Sequence, residues 1–266
     1  MSDWRSYDEI AERYDRVWSA RFEAVAQRIW SLMPPRENDK MLDIGTGTGI
    51  LPMALSKAGQ AFGLTVGCDR SAGMVLRARA RVAGLDVLVA DAISLPFQDG
   101  SFDVATASFV LSHIRDYPRA LAEALRVLKP SGMLAVSNWA RPSDPYSPAW
   151  SECLAEAISK PEAERALAEV APWENYFSEE GHLAAALTKA GFSLLGCDVV
   201  DVESTFTIEQ FLEDRELSSG GRLGLHLLGA EGWVRFHAAV THTFQTRFGS
   251  SFRYQRRAII VIGSKP

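Results

Sequence analysis

The sequence predicts an α/β fold, a doubly wound parallel sheet, on three observations. Between Lys40 and Ala140, short apolar runs alternate with stretches at helical spacing, the pattern of a parallel sheet covered on both faces. The first run opens through Gly45, Thr46, Gly47, Thr48 and Gly49 into a helical segment, a turn in which bare backbone can approach a ligand. Acids stand at the ends of the first three runs: Asp43, Asp69 and Asp91.

Taken in order, residues from about Tyr7 to Met33 place Ile10, Tyr14, Val17, Trp18, Phe22, Val25 and Ile29 at helical spacing and stop at Pro34 and Pro35. This marks an amphipathic leader over 1–36. In the core, 37–140, the runs KMLDI, LTVGCD, VLVAD, FDVATASFV and MLAVSNW read as strands with helices between them. Pro142, Pro145, Pro148, Pro161 and Pro172 interrupt an otherwise helical stretch, so 141–180 reads as an insertion. HLAAALTKAGF is a helix closed by Gly191, and SLLGCDVVDV and RRAIIVIGS are strands, completing the core with 181–204 and 251–266. Between them, 205–250 is a second helical insertion. Its Gly220, Gly221, Gly224 and Gly229 point to a mobile lid or a plain surface loop.

Composition narrows the function classes. The chain has 266 residues, 47% of them hydrophobic, and a net charge of −5. Its 28 basic residues are scattered, which disfavours nucleic acid as a partner. The charged start MSDWRSYDEIAERYD and the lack of a long apolar segment predict a cytoplasmic protein with no membrane span, a monomer or homodimer. Cys68, Cys153 and Cys197 suit neither a disulfide framework nor a zinc site and read as buried small side chains. No metal is expected.

The glycine turn has no Lys and hydroxyl pair after its last glycine, so it is not a phosphate-binding Walker loop. A dinucleotide fingerprint wants its third glycine where Ile50 stands. Asp69 lies about twenty residues beyond the turn, the place from which a carboxylate accepts both hydroxyls of a ribose. Asp91 can meet the exocyclic amine of an adenine. Each acid alone would serve as a turn residue or helix cap; three on one edge of the sheet favour a ligand site.

Together LDIGTGTG, VGCDRSAGMVLRARA, DAISLPFQDGSFDVATASFVLSHI and EALRVLKPSGML resemble the successive motifs of class I S-adenosylmethionine-dependent methyltransferases, particularly the small-molecule group containing ubiquinone and menaquinone methylases. The likeness spans about Lys40 to Trp139, and departs only at Lys129–Pro130–Ser131–Gly132, where the family carries a second glycine. It implies a seven-stranded, mostly parallel sheet whose final strand runs antiparallel, a count the two strands near the carboxyl end complete, and S-adenosylmethionine as cofactor. It also implies a cofactor site of Asp43, Gly45, Thr46, Gly47, Gly49, Asp69, Arg70, Met74, Asp91, Ala92, Ser108 and Tyr14. In it Asp43 stands near the methionine amino group, and Arg70 and Ala92 flank the adenine. The reaction implied is methyl transfer by in-line displacement to an oxygen, nitrogen or carbon of a small metabolite.

A base for the acceptor is sought just after the fourth strand, where His113 is the candidate, with a packing role as the alternative. His182, His226, His237 and His242 fall in the variable regions. No Asn-Pro-Pro-aromatic signature of nucleic-acid base methylases follows the fourth strand. The aromatic residues of the leader (Trp4, Tyr7, Tyr14, Trp18, Phe22) and of the first insertion (Trp139, Tyr146, Trp150, Trp173, Tyr176, Phe177) point to an apolar or aromatic acceptor, or serve as ordinary core. Two further classes remain at this stage, a nicotinamide-dependent oxidoreductase and a noncatalytic cofactor-binding partner. The leader is expected to close over the open edge of the sheet, with packing on the far side of the sheet as the alternative.

Overall fold

In a computed structural model describing residues 3–266, the strands are β1 (Lys40–Ile44), β2 (Leu64–Asp69), β3 (Asp86–Val89), β4 (Phe102–Ser108), β5 (Leu128–Trp139), β6 (Ser193–Thr207) and β7 (Ser251–Ser264). They form one sheet in the order β3-β2-β1-β4-β5-β7-β6. β1 to β5 pair in parallel, and β7 runs antiparallel to both β5 and β6, as expected. Period-two alternation divides the strands between two apolar layers. Leu42, Ala105, Leu134 and Val261 face one, while Met41, Val104, Ala135 and Ile260 face the other. The third strand ends at Val89, two residues before Asp91, and the fourth ends at Ser108, because Phe109 takes a left-handed φ of 56° and turns the chain out of the ladder.

The leader folds as helix α1 (Ala11–Leu32) and requires a correction. Docking on the open edge supposes a sheet already covered by its other helices. In fact Val25, Ala26, Ile29 and Trp30 cover one face of the sheet beside α2 (Ile50–Lys57), with Trp30 Nε1 donating to the Leu51 carbonyl at 3.0 Å. Only the first half of α1 reaches the cavity edge. Asp15 joins it to α3 (Ala72–Arg81), accepting from Arg77 at 2.7 Å and pairing with Arg81. Met1 and Ser2 of the leader lie outside the described residues.

The insertions are helical, with shifted bounds. α4 (Tyr117–Val127) precedes β5; α5 (Tyr146–Ala157), α6 (Lys160–Val170) and α7 (Glu174–Phe177) follow it, and α8 (His182–Lys189) leads into β6. Residues 205–207, assigned to the second insertion, continue β6, so that insertion begins with α9 (Ile208–Leu217) and α10 (Ser219–Phe248). Its glycine-rich stretch is helix on either side of Gly229, whose φ of 65° and ψ of 177° break the helix there, rather than a loop. At Gly224 a Cβ would meet Leu154 at 2.9 Å and Trp233 at 3.0 Å, so the missing side chain serves close packing. α5, α9, α10 and the start of β7 share their own core, around Trp150, Phe211, Phe236 and Phe244. Among the described residues no helix is long and apolar enough to cross a membrane. Cys197 is exposed, contrary to the expectation of three buried cysteines.

Candidate active site

A cavity of about 760 Å³ opens at the carboxyl edge of β1, β2 and β4, where ligands bind in open α/β sheets. It is lined by Asp43, Gly45, Thr46, Gly47, Asp69, Arg70, Met74, Asp91, Ala92, Ser108, Tyr14 and His113, so the structure gathers all of these candidates. Gly49 is the exception. It caps α2 with φ 78°, and a Cβ there would press on Val82 at 3.0 Å and Ala78 at 3.2 Å, so it packs α2 against α3 and does not line the cavity.

Gly47, at φ 53°, turns its N–H toward Asp69 Oδ2 at 2.9 Å, while Ser71 N donates to Oδ1 at 2.9 Å. Both oxygens keep a second lone pair for a ligand hydroxyl. Burial raises the Asp69 pKa against these two backbone donors. Asp91 is exposed on the cavity rim, and its Oδ1 accepts from Ile93 N at 3.2 Å.

Asp43 is the buried acid of the site. The register places it beside Thr106 of β4, whose hydroxyl donates to Oδ1 at 2.6 Å. Asp43 Oδ2 and Thr46 Oγ1 are buried with no hydrogen-bond partner. Burial pushes the Asp43 carboxyl up to about 6, and among the described residues no hydrogen-bond partner meets its Oδ2. That orphan oxygen fits the ammonium of an amino-acid moiety, as the cofactor carries. For a carboxyl whose folded pKa lies above its ordinary 3.8, the acid form is favoured in the folded state. Ligand-free stability is therefore lost as pH rises from about 4 through about 6, by roughly 3 kcal/mol at most. Asp43→Asn should melt higher than the parent at pH 8 without ligand and bind S-adenosylhomocysteine more weakly; melting curves with and without that compound check both signs.

The opposite wall is aromatic. Phe109 is held in its left-handed conformation by its N–H bond to the Ser137 carbonyl at 2.9 Å, with its ring 4.7 Å from Phe22 and 4.5 Å from Trp139. Tyr7 stands edge-on to Tyr14 and to His113. His113 Nδ1 lies 3.0 Å from the Val170 carbonyl. Of the aromatic residues expected at the wall, only Tyr7, Tyr14 and Phe22 line the cavity. Tyr146 and Trp150 enter the cap core, Trp173 and Phe177 pack on Tyr117, and Tyr176 stacks on His182. The sequence reading missed the strap over the mouth. Asp8 accepts from Ser71 Oγ at 2.6 Å and Gly73 N at 2.9 Å, and Arg5 pairs with Glu169 of α6 at 2.7 Å. No local pattern marks partners 63 to 164 residues apart.

A sheet of this order, with three acids around one cleft at its carboxyl edge, defines an α/β enzyme for a nucleoside-bearing ligand. Residues 42–136 match the family described as "Methyltransferase domain". The chain is 31% identical over 207 residues to the demethylmenaquinone methyltransferase of Corynebacterium kroppenstedtii, covering 72% of this chain and 86% of that one. Against the Streptomyces avermitilis enzyme of the same name it is 31% identical over 202 residues, covering 70% and 84%. Haemonchus contortus phosphoethanolamine N-methyltransferase 2, solved with S-adenosylhomocysteine, shares the fold with a TM-score of 0.57 at 18% identity, over 100% of this chain and 61% of that one. The chain belongs to the class I S-adenosylmethionine-dependent methyltransferases. It is an enzyme that transfers a methyl group from S-adenosylmethionine to a small molecule.

Proposed function

We propose that the acceptor is a small aromatic metabolite, seated between the cofactor and the wall formed by Phe22 and Phe109. The observation that carries this reading is Phe109, held against its conformational preference with its ring on Phe22 and Trp139, a strain that functional sites retain. The two relatives are named for demethylmenaquinone, which agrees with a ring-shaped acceptor. On the cofactor side, Asp69 receives the ribose hydroxyls, Asp91 the adenine amine between Arg70 and Ala92, and Asp43 the methionine ammonium. Met74, Ser108 and Tyr14 fill the remaining wall.

The bound cofactor supplies a methyl group that its sulfonium already makes electrophilic. The protein has to align the acceptor and keep water out. His113 holds its ring by Nδ1 on a carbonyl, which only accepts, so Nδ1 carries the proton. In the neutral ring Nε2 then presents a lone pair for the acceptor's proton. The strap of residues 3–8, clamped to α3 and α6, acts as the lid.

Incubation of the enzyme and methyl-labelled cofactor with cell extract should place label in small aromatic metabolites. Label confined to nucleic acid or protein overturns the reading. With the labelled acceptor, His113→Gln should lower turnover by about 10²–10⁴-fold and leave S-adenosylhomocysteine affinity intact; full turnover across the pH profile would remove the histidine from the mechanism.

A further inference from the structure

Arg222, from the second insertion, is 6% exposed. Its Nη1 donates to the Ser6 carbonyl at 2.8 Å, a neutral partner, and its Nε and Nη2 meet no hydrogen-bond partner among the described residues. The guanidinium lies over the Tyr7 ring, 4.1 Å from its centroid. Tyr7 and Ser6 line the cavity, so one aromatic ring separates the cation from the space beside His113. A buried charge without a counter-ion is costly, and truncating it is normally tolerated only where the charge was not holding a partner.

The surroundings add to the imbalance. Arg21 and Arg215 share a single buried carboxylate, Asp214. Behind the strap, Arg21, Arg215 and Arg222 stand against Asp214, whereas the cavity lining carries Asp43, Asp69 and Asp91 and, at the strap, Asp3, Asp8 and Glu169 beside Arg5. The fields of Arg21 and Arg222 both act on the Tyr14 hydroxyl in the cavity wall. Negative charge suits a cationic cofactor, and Arg222 is a buried cation with no carboxylate partner among the described residues. Arg222 also lies outside the matched segment 42–136.

We propose that Arg222, with Tyr7, forms an anion subsite for the methyl acceptor, which carries a carboxylate or comparable oxyanion beside its aromatic ring. The inference rests on reading this cavity as the acceptor chamber. Tyr7 belongs to the strap and precedes its short helical turn; displacement of its ring is the movement the proposal requires for Nε and Nη2 to face the cavity.

The test is calorimetric titration of the full chain, saturated with S-adenosylhomocysteine, by 2-naphthoate and by 2-naphthamide, which differ in charge and little in shape. The parent should prefer the carboxylate by about tenfold or more. Arg222→Met should abolish that preference and Arg222→Lys should restore part of it, while the Met variant stays folded and keeps its S-adenosylhomocysteine affinity. Equal affinities in the parent overturn the proposal, as does a preference that survives in Arg222→Met. So does a Met variant in which S-adenosylhomocysteine itself binds about tenfold more weakly, which would assign the cation to the cofactor's own carboxylate. Failure of the parent to bind S-adenosylhomocysteine would instead strike the cofactor reading.

Discussion

Asp69→Ala is expected to weaken S-adenosylhomocysteine binding by about a hundredfold or more. A charge-assisted hydrogen bond contributes roughly 1.5–3 kcal/mol, and the ribose offers two hydroxyls to this carboxylate. Summed without full additivity this is about 3 kcal/mol, with each 1.4 kcal/mol a factor of ten. The substitution also frees the N–H groups of Gly47 and Ser71, which now donate to the two carboxylate oxygens, so the glycine turn loses the anchor that sets its approach to the ligand. Asp69→Asn keeps one acceptor and should fall between. Calorimetric titration measures the loss, and a melting curve separates it from a general loss of structure. Unchanged affinity in a folded Ala variant would reduce Asp69 to a loop tether.

The second large effect is on stability. Asp214 is 0% exposed and accepts from Trp18 Nε1 at 2.5 Å, from Arg21, and from Arg215 Nη2 at 2.6 Å; Arg215 also donates to the Tyr254 hydroxyl at 3.0 Å. One carboxylate thereby joins α1, α9 and β7. Asp214→Ala leaves two buried guanidiniums facing each other, a loss of about 3–5 kcal/mol. At roughly 2–4 °C per kcal/mol for a chain of this size, the melting temperature should fall by roughly 10 °C. Burial acts to raise the Asp214 pKa, but the fields of Arg215 and Arg21 overcome it and hold the group below the ordinary carboxylate range. Its stabilisation is therefore complete above that ordinary range and lost as pH falls through the lowered value. The gap between parent and variant should narrow in acid. A gap that stays constant down to pH 2 would show that packing, rather than charge, sets the loss.

The strands and the cofactor edge were legible because they obey local rules. A buried parallel strand is a continuous apolar run, and a glycine turn between Asp43 and Ile50 leaves few alternatives. The role of α1 was not legible. Helical spacing shows that Val25, Ile29 and Phe22 share a face, but not whether that face meets the sheet or the cleft, and the helix divides between them. Gly220, Gly221 and Gly224 misled for a related reason: composition alone does not separate a glycine that lets a loop move from one that lets Trp233 sit against a helix. The clamps of the strap, Arg5 with Glu169 and Asp8 with Ser71, join residues distant along the chain, and no periodicity encodes them.

The packing of α1 on one face of the sheet also ties distant parts of the chain together. Its apolar face meets Met41 of β1 and Val104 of β4, and equally Val202 of β6 and Ala258 and Ile260 of β7. Tyr14 and Phe22 ride on the same helix and stand in the cavity wall. The fit of the chamber therefore depends on two strands, β6 and β7, that contribute no residue to its lining.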